Sequence, residues 1–337
     1  MQIVRMSSFW TKVRQFFRLS GHIQLMPVLE NGEELLVGGE AVIEGVMMRA
    51  PHSYCVAVRK PDGSILEEQA PLQRPSEKFR IFKYPVLRGL GTLGQAMALG
   101  IKALRFSANV AIEADPGNAG KKPVRVSGPM IAVNVAFSLA FFIFLYKFIP
   151  LLAVTELKDR YSLFENSILF NAMDGLIRMA IFLIFLGLIS RMKDIRRVFE
   201  YHGAEHKVVF NYESGRPVDI PNARSFSTLH PRCGTSFLLV VMVVSMLIYT
   251  LVPFESFLWR FLSRVALLPV IAGVSYEVIR FAARRQGTLW ASMVAPGLWL
   301  QKVTTQPPSD DQLGVSIHAL EGAMALEKQQ DGELVIA

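Results

Sequence analysis

From Ser167 to Ser190 the chain reads SILFNAMDGLIRMAIFLIFLGLIS, with only Asp174 and Arg178 charged. As a helix this stretch is about 36 Å long, enough to cross a hydrocarbon core of about 30 Å. Asp174 and Arg178 stand four apart, so they share one helix face and can neutralise each other in lipid. Three further apolar runs flank it: Met130 to about Val154, Phe237 to Pro253, and about Phe261 to Phe281. The pattern predicts a membrane α-helical protein of about four transmembrane helices, joined to a small α+β amino-terminal cytoplasmic domain. Composition agrees, because 51% of the 337 residues are hydrophobic and the mean hydropathy is +0.33, high for a soluble chain.

The remaining chain divides around these spans. Residues 1–36 form a basic and aromatic segment (Phe9, Trp10, Lys12, Arg14, Phe16, Phe17, Arg18) suited to an anionic membrane face. Residues 37–129 read as a cytoplasmic α+β domain. Within it, Val56 to Leu66 has the form strand, Pro-Asp-Gly turn, strand. Arg88 to Ala114 follows as an amphipathic helix interrupted by Lys102 and Arg105, and 115–123 is a linker by composition. Residues 130–303 make up the four-span domain with a polar loop at 191–235, and 304–337 a terminal helix and tail. Ser309-Asp310-Asp311-Gln312 has capping-box form.

Basic residues set the expected orientation. The 191–235 loop holds Arg191, Lys193, Arg196, Arg197, Lys207, Arg216, Arg224 and Arg232, whereas 155–166 holds only Lys158 and Arg160. The positive-inside rule then puts that loop and both termini in the cytoplasm. The net charge of +8 is thereby assigned to topology, and no nucleic-acid partner is expected. The lipid bilayer is the expected partner, with a membrane-protein partner or a second copy of the chain as further candidates. Two distant cysteines, Cys55 and Cys233, make no disulfide framework.

The loop carries the motif of greatest chemical interest, Tyr201-His202-Gly203-Ala204-Glu205-His206-Lys207. On a helix His202 and His206 share one face and can grip one ion, Zn(2+) or another divalent metal. Glu205 is then the candidate catalytic base, in the H-x-x-E-H order of inverted zinc hydrolases. His230, Cys233 and Glu277 are the candidates to complete the ligand set, with Glu40, Glu44 or His52 as substitutes. If the second span continued straight, His202 would stand roughly 18 Å beyond Ser190. Glu277 and His230 are tethered at the membrane boundary, so the helix must bend. The same residues also fit a structural set, with helix-face histidines held by carboxylates and Glu277 paired to Arg280 or Arg284.

Three motifs together carry a resemblance: Gly38-Gly39-Glu40-Ala41-Val42-Ile43-Glu44-Gly45-Val46-Met47-Met48-Arg49, then 201–207, then His230-Pro231-Arg232-Cys233-Gly234-Thr235-Ser236-Phe237. The chain resembles the YqhQ-like family of bacterial multi-pass membrane proteins, which carry a domain of unknown function and are often labelled predicted metal-dependent enzymes. The resemblance implies a bacterial inner-membrane location but brings no reaction or ligand set. Two functional classes stand: a cytoplasm-facing metal-dependent hydrolase, and a non-catalytic membrane assembly or scaffold protein. A transporter is disfavoured by the few spans and the lack of an internal repeat.

Overall fold

The computed structural model describes residues 37–114, 128–230, 233–252, 254, 256–284 and 295–329. The basic amino-terminal segment and the 115–123 linker therefore lie outside the described residues.

Four strands form an antiparallel meander: β1 (Gly38–Val42), β2 (Gly45–Arg49), β3 (Ser53–Arg59) and β4 (Ile65–Pro71). The β3–β4 connection is the expected Pro-Asp-Gly turn, with Gly63 at φ 85°. The β1–β2 hairpin turns on Ile43 and Glu44, in register Val42 opposite Gly45. Such two-residue turns require positive φ, which is rare outside glycine, and Glu44 adopts 55°. Its carboxylate is clamped by Arg197, with Nη2–Oε2 at 2.6 Å, and accepts from Tyr201 Oη at 3.3 Å. The clamp ties the strained turn to the helix carrying the histidines.

The central strands are apolar on both faces. Met47, Tyr54, Val56 and Val58 point to one side, where α1 (Leu87–Glu113) lays Leu99, Ala103 and Val110 against them. Val46, Met48, Cys55 and Ala57 point to the other. There they meet Tyr201, Ala204 and Val208 of α4 (Lys193–Glu213) and Leu313, Leu320 and Ala323 of the terminal helix α10 (Asp310–Gln329). Alternation with period two makes this a three-layer unit, helix, sheet, helices. The carboxy-terminal helix is thus part of the same core as the amino-terminal strands. The capping box forms as expected: Ser309 N donates to Gln312 Oε1 at 2.8 Å and Gln312 N to Ser309 Oγ at 3.3 Å.

The apolar helices follow the expected runs with corrections. Two are long and apolar enough to cross a membrane, α2 (Gly128–Arg160) and α3 (Ser167–Ile189). A third candidate is α7 (Phe257–Ala266) with α8 (Leu268–Ala282 of the helix Leu268–Arg284), bent by 49° at the break. The remaining run forms α6 (Gly234–Thr250), 17 residues, or about 26 Å, short of the hydrocarbon thickness. Two or three spans, rather than four, therefore meet the length requirement among the described residues. Inside α2 a π-helical stretch, Phe144–Phe148, turns Lys147 inward, where its Nζ donates to Tyr249 Oη at 2.9 Å.

The helix after Ile189 does not run straight. Ser190 to Met192 breaks it, and α4 starts afresh at Lys193. A short helix, α5 (Ile220–Ser225), follows before α6, and α9 (Ala295–Thr304) leads into α10. Helix α4 is laced to the segment after α9: Gln306 N donates to the Phe199 carbonyl at 2.9 Å. A Cβ on Gly203 would stand 2.1 Å from the Gln306 carbonyl oxygen. Gly203→Ala must push these backbones apart, and overpacking of this kind costs about 1–3 kcal/mol. Thermal unfolding of the detergent-solubilised variant should show a lower midpoint than the parent, with secondary structure content retained.

Candidate metal centre

The break after Ser190 and the lacing at Gln306 fix which way the histidines face. His202 Nδ1 bonds the Thr304 carbonyl at 2.8 Å, and His206 Nδ1 bonds the Thr228 carbonyl. A carbonyl only accepts, so each Nδ1 must carry the hydrogen. Each Nε2 is then left as the acceptor nitrogen, and the rings meet with centroids 4.4 Å apart. Orientation by carbonyls at one nitrogen is the usual support of a metal-binding imidazole.

The third member is Cys233, at the head of α6. Its Sγ lies 3.3 Å from His202 Nε2, and Thr235 Oγ1 donates to it at 3.4 Å. One ligand atom from each of His202, His206 and Cys233 lies within 4.8 Å of the others. Donor atoms around a tetrahedral zinc stand roughly 3.3–3.6 Å apart, so modest closure of this group would fit such an ion. Glu205 is buried, and its Oε2 is 3.4 Å from His206 Nε2.

The other sequence candidates are held by other partners. His230 lines the same cavity, but its Nε2 faces Glu213 Oε2 at 3.4 Å and its ring packs on Phe210, centroids 4.4 Å apart. Its backbone is held by Gln301 in a reciprocal pair, N–H to Oε1 and Nε2 to the carbonyl, each 2.7 Å. Burial pushes the His230 pKa down to about 4, against the opposing charge of Glu205, so it stays neutral near pH 7.

Glu277 is not brought to the histidines. It accepts from Arg88 Nε at 2.7 Å and from the Val86 amide at 3.2 Å. Val86 is a β-branched residue at φ 67°, an uncommon conformation that needs outside support. The Glu277 carboxylate supplies it and joins α8 to the start of α1. Of the substitutes, Glu44 is taken by Arg197 and Tyr201 as described. His52 bonds Glu77 and Glu327, each at 3.1 Å. Arg224 of the same loop pairs with Asp310 of α10.

Glu40 alone of the substitutes lines the cavity. This space of about 640 Å³ runs between β1, α1 and α4, with Glu40, Arg49, Glu205, both histidines and Cys233 on its walls. Gly39 makes the approach possible, since a Cβ there would lie 2.7 Å from Glu205 Cγ. Burial raises the Glu40 pKa to about 7, with Arg49 opposing the shift and Glu205 adding to it. Burial likewise lowers the His206 pKa, partly offset by the Cys233 thiol beside it. Sequence reading offered Glu40 only as a substitute, and the two carbonyl acceptors gave no signal because any residue carries one.

The model of a family described as Protein of unknown function (DUF1385) matches residues 84–326, which contain every member of the His202, His206, Cys233 group. The uncharacterized protein YqhQ of Bacillus subtilis (strain 168) is 34% identical over 298 residues, 86% of this chain and 92% of that protein. No solved structure matches the chain.

A raised carboxyl pKa has a definite sign in stability. Native Glu40 binds its proton more tightly than the unfolded chain, so its stability contribution is full below about 4.5 and falls as pH rises through about 7. In chelator-treated protein, Glu40→Gln should therefore raise the unfolding midpoint at pH 8.5 and change it little at pH 4.5. The ceiling of this effect is about 3 kcal/mol, from 1.36 kcal/mol per pKa unit.

Proposed function

This chain belongs to the family described as Protein of unknown function (DUF1385), and from the geometry above we propose that it is a membrane-embedded metal-dependent hydrolase. His202, His206 and Cys233 hold a divalent ion, zinc by the chemistry of two imidazoles and a thiolate. Glu205 is the general base. The observation that carries the reading is the pair of carbonyl-anchored imidazoles presenting Nε2 to one thiol across a cavity. A purely structural pair of helix-face histidines would have no need of a third soft donor at that point. When bound, the ion would act as a Lewis acid and lower the pKa of a nearby water. The chain's own contribution is to hold Glu205 for proton removal, keep His230 neutral beside the site, and confine the substrate in the cavity. A three-residue ligand set leaves a position open for substrate, as catalytic zinc sites require.

The protein sits in the bacterial inner membrane as a multi-pass protein, with the 191–235 loop and both termini in the cytoplasm. Basic-residue asymmetry supports this orientation. A membrane-protein partner or a second copy of the chain would bind beside the spans, and nucleic acid would not.

Three measurements test these statements. Protein purified without a histidine tag should hold about one zinc per chain, lost in the His202→Ala, His206→Ala double variant. Glu205→Gln should keep metal and fold yet fail to complement a deletion strain; full complementation at normal expression would favour the scaffold reading instead. For orientation, an impermeant thiol reagent should label Glu156→Cys in intact cells and Ser214→Cys only after permeabilisation. Both positions are exposed, and the reverse pattern would invert the topology.

A further inference from the structure

The apolar helices enclose a second polar cluster, at the other end of α3 from the histidines. Its centre is the Tyr249 ring, with Lys147 Nζ at 5.2 Å, the Arg178 guanidinium at 5.4 Å and that of Arg264 at 5.1 Å from the centroid. All three cations are at most 7% exposed. They share one buried carboxylate, Asp174, which accepts from both Arg178 and Arg264. Their other partners are neutral: Arg178 donates to Ser245 Oγ at 2.7 Å and to the Tyr146 carbonyl at 3.0 Å, and Arg264 to Asn171 Oδ1 at 3.1 Å. Even counting Lys147 as neutral, the cluster keeps one positive charge beyond its carboxylate.

An excess charge among apolar helices is costly unless a counter-charge meets it. The cluster is not sealed. A pocket of about 180 Å³, roughly six waters in size at about 30 Å³ each, reaches it from the α2–α3 end of the bundle. Arg264, Asn171 and Tyr249 form the floor, and Lys158, Arg260 and Glu165 stand at the rim. Among the described residues, floor and rim together present Arg264, Lys158 and Arg260 beside Glu165, Arg260 also donating to the Phe254 carbonyl at 2.6 Å and standing over the Phe170 ring at 4.5 Å. Asn171 and the guanidinium of Arg264 are fixed by buried hydrogen bonds, so the floor is rigid before any ligand arrives. Planar guanidinium groups suit phosphate oxygens, and the opening lies between helices that lipid would surround.

We infer that this pocket binds a phosphate-bearing anion, with the headgroup of an anionic phospholipid or a free phosphate ester sharing the recognised chemistry. The anion supplies the counter-charge that the Asp174 cluster lacks among the described residues. The site is separate from the histidine group: Tyr249 stands near the far end of α6 from Cys233, about 24 Å along the helix axis.

The test uses full-length protein in a neutral detergent and follows its unfolding midpoint, because a ligand bound only by the native state raises it. Dioleoylphosphatidylglycerol, dioleoylphosphatidylcholine and inorganic phosphate are titrated separately. Stabilisation by phosphatidylglycerol well beyond that by phosphatidylcholine identifies a lipid headgroup, and stabilisation by inorganic phosphate identifies a small phosphate. Either outcome supports the site if the Lys158→Gln, Arg260→Gln rim variant weakens the effect at least tenfold in concentration. The rim is only partly buried, so this variant should fold, and an unchanged midpoint without ligand verifies it. Equal stabilisation of parent and variant, or no response to either anion, would overturn the inference. His202→Ala should leave the response intact, which separates this site from the proposed metal centre.

Discussion

Burial of both faces of one small sheet is the constraint on which the polar half of the molecule depends. Val46, Met48, Cys55 and Ala57 cannot be left in water while Met47, Tyr54, Val56 and Val58 are covered on the opposite side. Covering both faces needs three helices from separate parts of the chain, α1, α4 and α10. The strands therefore gather the loop helix and the carboxy-terminal helix across more than two hundred residues. Helix α4 is delivered to β1 in one orientation, because Tyr201, Ala204 and Val208 must face the sheet. The same rotation turns His202 and His206 away from the sheet core and toward the head of α6.

That orientation is then locked by backbone rather than by side chains. The Thr304 and Thr228 carbonyls each fix one imidazole, and Gly203 lets the 304–306 segment lie directly on α4. A side chain at position 203 would separate α4 from the very carbonyl chain that aims His202. The glycine within the motif is thus explained by packing, without any catalytic role. Glu44 and Glu277, two carboxylates that might have been drawn to a cation, are instead used at strained positive-φ residues, where they hold a hairpin and a helix start.

Charge is managed differently at the two ends of the apolar bundle. At the histidine end, buried ionisable groups are kept neutral or in balance: His230 is held uncharged by burial, and Glu40 lies beside Arg49 on the neighbouring strand. At the other end, two permanently charged arginines are buried around a single carboxylate among the described residues, Asp174. Guanidinium groups cannot shed their protons to relieve the imbalance. One end is therefore built around donors that can be deprotonated, the other around donors that cannot.

The sequence by itself determined what depends on near neighbours. The apolar runs, the Pro-Asp-Gly hairpin, the capping box at Ser309, the helix over Arg88 to Ala114 and the shared face of His202 and His206 all follow from local periodicity and turn chemistry. The Asp174–Arg178 pair was legible for the same reason, being one helical turn. Only the tertiary structure decided that Cys233 rather than Glu277 meets the histidines, that Glu40 lines their cavity, and that Arg264 joins Asp174. These are contacts between segments brought together by packing, and no spacing in the chain encodes their distance. The anchoring carbonyls were invisible too, since a backbone acceptor is the same at every position and only the fold selects which one is used.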